Sequence, residues 1–140
     1  MDDAHDANKP ILTVLQPAGW MRPRGYSNGI AVAGRQVFVA GQIGWDEQCR
    51  LVSGDFAEQA RQALRNVVAV LKEAGAGPQH IARMTWYVTD KREYLAAAKA
   101  IGQAYREIVG GYYPAMTAIQ VTALIEDGAK VEIEATAVIP

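Results

Sequence analysis

The chain has 140 residues, 50% of them hydrophobic and 21% charged, a globular balance that excludes a disordered or fibrous polypeptide. A chain of this length forms one domain and buries roughly two-thirds of its extended surface on folding. Fourteen Lys and Arg against fifteen Asp and Glu leave a formal charge of −1, which gives no electrostatic support for binding nucleic acid or an anionic membrane.

A single cysteine, Cys49, excludes an internal disulfide, and His5 and His80 cannot build a Cys/His metal cluster. Met1 to Asp6 is acidic and lacks the basic start and apolar centre of a secretion signal. No apolar run approaches the roughly 18 residues of a membrane span. The expectation is a cytoplasmic protein with a loose tail over residues 1–9 and one domain over 10–140.

Ile11 to Leu15 is a short strand candidate, followed by a loop broken by Pro17, Gly19, Pro23 and Gly25 and carrying Trp20, Arg22 and Arg24 as anchors. Gly29 to Val32 and Gln36 to Ala40, on either side of Ala33-Gly34-Arg35, have the pattern of a hairpin. Asp55, with Glu58 three residues on, opens a helix whose apolar stripe is Ala60, Leu64, Val67, Leu71 and Ala74. Ile81 to Thr89 is rich in β-formers that are bulky on both faces, as befits a central strand. Asp90 caps a second helix with the stripe Tyr94, Ala98, Ile101, Tyr105 and Ile108. Ala115 to Leu124 and Lys130 to Ile139 complete the strands, and in the last of them Val131, Ile133, Ala135 and Ala137 alternate with Glu132, Glu134 and Thr136.

Two helices, each apolar on one side, cover one face of such a sheet. The other face keeps Trp86 or Tyr87 and Met116 or Ala118, and an uncovered, partly apolar sheet face predicts self-association.

Glu132 and Glu134 share one face of the last strand. That face either meets water, where carboxylates usually sit, or lines a cleft between subunits, where a carboxylate orients or deprotonates water. Tyr26, beside Arg22 and Arg24, either binds an anion or caps a sheet edge. Gly41 admits a ligand to the backbone or simply bends the strand end. Cys49 lies in a polar turn with nothing to mark it as a nucleophile. There is no Gly-rich phosphate loop and no Gly-x-Ser-x-Gly.

Several segments together resemble the Rid (reactive intermediate deaminase) family, also called the YjgF family. They are Gly25-Tyr26-Ser27-Asn28-Gly29, the run Val37 to Gly44, the run Gln59 to Val67, Val88-Thr89-Asp90, Tyr113-Pro114-Ala115 and Val131 to Ala135. The resemblance implies an α+β, chorismate-mutase-like fold: a mixed six-stranded sheet with two helices on one face. Three copies pack their open faces into a central barrel, with small-molecule clefts between subunits. It also implies an enamine/imine deaminase resembling the 2-iminobutanoate/2-iminopropanoate deaminases. Such a hydrolase releases a carbonyl product and ammonia without metal or organic cofactor. By the same resemblance Glu132 positions the water, and Tyr26 and the backbone at Gly41 hold substrate.

The departure from the family pattern is Pro114-Ala115-Met116, where the family's deaminases carry Pro-Ala-Arg and pair the arginine with the substrate carboxylate. Ala98 and Ala118 likewise replace an asparagine and a frequent cysteine. A hydrogen bond to a charged group contributes roughly 1.5–3 kcal/mol, so losing it weakens binding of a small 2-imino acid roughly 10- to 100-fold. Two functions follow. One is a deaminase of altered substrate range in which Arg22 or Arg24 meets a more distant anion. The other is a binding protein that keeps the cleft without the chemistry. Cleavage of RNA needs placed catalytic groups and a basic track, and the charge balance supplies neither.

Overall fold

The structure, a computed structural model, describes residues 12–140; the tail expected over residues 1–9 lies outside them. Helix α1, Phe56–Glu73, forms where the apolar stripe predicts it. The Asp55 carboxylate accepts the Glu58 backbone N–H at 3.1 Å, and Ala60, Ala63, Leu64, Val67 and Leu71 are buried. The second predicted helix is divided into α2, Lys91–Ala96, and α3, Ala98–Ile108. Asp90 caps α2 by accepting the Arg92 N–H at 2.8 Å. Ile101 and Tyr105 are buried as the stripe requires, whereas Ala98, just past the break at Ala97, is exposed.

The main sheet has the order β3-β6-β4-β5, with β3 Arg35–Ile43, β6 Val131–Ile139, β4 Ile81–Val88 and β5 Ala115–Gln120. Only β4 and β5 run parallel, so the sheet is mixed and the fold is α+β. β4 is central, as its two bulky faces predict.

The expected single sheet of six strands is instead two sheets. β1, Thr13–Leu15, and β2, Gly29–Ala31, pair with each other, and the main sheet keeps four strands. The hairpin expected between Gly29 and Ala40 therefore does not form: β3 pairs with β6. Ser27 explains the difference. Its backbone N–H donates to Pro114 O at 2.9 Å and its hydroxyl to Tyr113 O at 2.5 Å. These bonds hold the chain just before β2 against the start of β5, on the far side of the sheet from β3. β5 also stops at Gln120 rather than Leu124, because its partner β4 ends at Val88.

Register assigns the two faces. Met84, Trp86 and Val88 stand beside Ala135, Ile133 and Val131, and all six are buried beneath the helices. Thr85 and Tyr87 stand beside Glu134 and Glu132 on the open face. Met116 and Ala118 pair with Met84 and Trp86 and so lie on the helix side. That corrects the expectation that they belong to the open face, which Thr117 and Ile119 take instead. Trp20 and Met21 are 62% and 91% exposed, so the anchoring expected of Trp20 is not seen among the described residues. Among the described residues no helix is long and apolar enough to cross a membrane.

Candidate functional site

The site residues expected from the sequence fall into two groups at different places on the protomer. The first is Glu132 on β6. One extra residue of β3 bulges between Val39 and Gln42, opposite the stretch Ala135 to Ile133, and this re-aims the strand end. The Glu132 carboxylate lies against Gly41 so closely that a Cβ there would overlap it. A side chain at Gly41 would have to displace that carboxylate. Ile43, Trp45, Ile125 and Glu126 complete a pocket of about 140 Å³ around the pair. Ile125 is fully exposed there.

Next to Glu132 on the open face, Tyr87 donates its hydroxyl to Glu134 Oε1 at 2.7 Å. That hydrogen bond, then desolvation, raises the tyrosine above its ordinary value of 10.0. One Glu134 oxygen is therefore engaged as an acceptor.

The second group surrounds Met116. The Ser27 hydrogen bonds fasten the loop carrying Arg24 and Tyr26 to Tyr113 and Pro114, directly ahead of Met116. On one side of Met116, Tyr26, Asn28, Ile30, Arg83 and Thr117 border an open pocket of about 540 Å³. On the other side, Arg24, Trp86, Tyr94, Ala98, Arg106 and Tyr113 border one of about 410 Å³ under α2 and α3.

The aromatic wall of the second pocket is fixed by contacts. The Trp86 and Tyr94 rings meet edge to face at 6.3 Å, and Tyr105 stacks on Tyr113 at 5.2 Å. Tyr105 donates to Tyr112 O and Tyr112 to Ile81 O, each at 2.6 Å. Burial raises both hydroxyls, that of Tyr112 up to about 12, so both stay protonated donors at neutral pH.

Tyr26, Arg24, Met116 and Ala98 therefore gather at the β5 end, while Gly41 and Glu132 sit together at the β3–β6 rim. Ala118 is exposed on β5, next to Trp86 in register. Met116 and Glu132 face opposite sides of the sheet, so one protomer does not bring them together. Among the described residues no three His, Cys, Asp or Glu side chains group as metal ligands.

Arg106 and Trp86 were not singled out by sequence reasoning as site residues. The available signal for Arg106 is Gly102, one turn earlier on α3. A mid-helix glycine costs about 1 kcal/mol relative to alanine, and here its bare Cα leaves room for the Arg106 guanidinium, whose Nη1 lies 3.3 Å from where a Cβ would be.

A family model described as endoribonuclease L-PSP matches residues 21–139. A human protein named 2-iminobutanoate/2-iminopropanoate deaminase is 35% identical over 129 residues, covering 91% of this chain and 88% of its own. A RutC family protein of Pyrococcus abyssi is 38% identical over 133 residues, 94% of this chain and 97% of its own. Among solved structures, a Rid family protein of unknown function from Yersinia pestis superposes with a TM-score of 0.80 at 33% identity, covering 93% of this chain and all of its own.

Proposed function

The chain belongs to the Rid (YjgF) family, and on that premise we propose that it hydrolyses a reactive imine or enamine to a carbonyl compound and ammonia. The observation that carries this reading is the Glu132 carboxylate seated on the bare backbone of Gly41, on a sheet face that the chain's own helices leave uncovered. Relatives named as imine deaminases support it at the level of the family.

An enamine first takes a proton on carbon to become the iminium. Glu132 accepts a proton from water as the oxygen bonds to the iminium carbon, and the C=N π pair moves to nitrogen. The resulting carbinolamine takes the proton back on nitrogen. The C–N bond then breaks, ammonia leaves, and loss of the hydroxyl proton closes the carbonyl. Tyr26 and the backbone at Gly41 hold the substrate in place.

Since Met116 and Glu132 lie on opposite sheet faces, the cleft is completed by another copy of the chain. We assign it to a homotrimer joined through the open faces around a central barrel. Support comes from Phe38 and Ile119, 72% and 44% exposed on that face, which isolated protomers would leave in water.

Met116 supplies neither charge nor donor, so the substrate range is shifted away from the smallest 2-imino acids. The same residue favours a second reading, a binding protein without turnover. Glu132→Gln separates the two. Ammonia release from freshly generated imines, followed with a coupled assay, falls about 10²- to 10⁴-fold in the variant if Glu132 is the general base. No acceleration over buffer by the unaltered, assembled protein would leave the binding reading in its place.

A further inference from the structure

Three features of the pocket under α2 and α3 are left unused by the reaction described above. Two guanidinium groups, Arg24 and Arg106, border it, and no acidic residue does. Neither arginine forms an ion pair among the described residues. A concave site lined by two unpaired cations attracts an anion, and guanidinium matches carboxylate geometry in particular.

The rest of the wall is apolar and aromatic: Trp86, Tyr94, Leu95, Ile101 and Met116. Trp86 is 2% exposed and so a fixed part of this wall. At about 410 Å³ the pocket exceeds what a three- or four-carbon acid fills and falls within the size range of small-molecule sites.

We propose that this pocket binds a carboxylate with an aromatic or large apolar body, the body lying along Trp86, Tyr94 and Met116 and the anion held by Arg24 and Arg106. The proposal rests on the deaminase reading for the fate of the ligand, and it names the substrate class: imines of bulky, aryl-bearing 2-oxo acids. Arg24 and Arg106 become the specificity-determining residues. Met116 has a role of its own here, because its thioether packs against a ring where an arginine would put a charge.

Phenylpyruvate, a stable product-side probe, is titrated into the assembled protein by calorimetry and by tryptophan fluorescence, beside pyruvate and the uncharged phenylacetamide. Phenylpyruvate is expected to bind at least tenfold more tightly than either. Arg24→Gln with Arg106→Gln weakens it tenfold or more and leaves the melting temperature unchanged, while Arg106→Lys retains part of the affinity. Met116→Arg shifts preference toward pyruvate.

Equal affinity for phenylpyruvate and phenylacetamide, or binding indifferent to both arginine substitutions, overturns the proposal. The two readings fail separately. Arginine-dependent phenylpyruvate binding without ammonia release from any imine sustains the pocket and sinks the deaminase. Ammonia release from the imine of pyruvate without phenylpyruvate binding does the reverse.

Discussion

The two faces of the main sheet are built from the same four strands and differ in nearly every physical respect. Under the helices, Val39, Met84, Trp86, Val88, Val131, Ile133 and Ala135 are all buried, and α1 seals them against β3 and β6. On the open face the alternate residues are Phe38, Thr85, Tyr87, Thr117, Ile119, Glu132 and Glu134. Most of these keep contact with solvent, and two carboxylates lie among rings and methyl groups. The closed face is complete within one protomer along β3, β6 and β4, and opens only at its β5 end, into the pocket beside Met116. The open face mixes surface chemistry with interior chemistry, and a protein keeps such a face for a partner copy or a ligand.

The sharpest way to break this contrast is to damage the closed face. Leu64 is fully buried on α1, and Leu64→Ala should cost about 2–5 kcal/mol from lost transfer energy and the residual cavity. Denaturant unfolding, at protein concentrations where assembly is held constant, measures it. A cost below 1 kcal/mol would mean that the helix face is not the core.

Phe38→Lys places a charge on the open face, where the ring is 72% exposed. The protomer itself should change by no more than about 0.5 kcal/mol, while the assembled mass falls toward that of one chain in sedimentation velocity. An unaltered mass would show that this face is not the interface.

The smallest effect concerns the outer surface of the helical layer, where Arg61 on α1 is paired with Glu107 on α3 at 2.5 Å. The hydrogen bond from Arg61, with a second from Gln103, lowers the Glu107 carboxyl from its ordinary 4.5. A lowered folded value means that the pair contributes fully above about pH 4.5 and is lost as pH falls through the folded value. Thermal melts of the chain and of Glu107→Gln should thus differ slightly at neutral pH and converge in acid. A gap of equal size at pH 2, on the order of two units below the ordinary carboxylate range, would remove electrostatics as its cause.

Local signals account well for the closed face. The stripe from Ala60 to Leu71, the Asp55 and Asp90 caps and the alternation along Val131 to Ala137 each act over a few residues, and each reappears in the structure. The strand pairing is less legible. Nothing near Ala33-Gly34-Arg35 says that β3 will leave β2 for a partner almost a hundred residues later, because the bonds that decide it come from Ser27 to Tyr113 and Pro114. The site divides in the same way. Glu132 and Tyr26 were visible as residue types in a family pattern, while Arg106 and Trp86 become relevant only once α3 lies over β4 and β5.

Periodicity, capping and composition, all properties of neighbours along the chain, settled by themselves that this protein has two apolar-sided helical segments, a buried central strand and a sheet face left uncovered. The tertiary structure alone decided which strands pair, that Met116 turns toward the helices while Glu132 turns away, and that two arginines distant in sequence border one aromatic pocket. The physical reason is that register and cavity shape are set by contacts between distant segments, whose energies no local window of sequence contains.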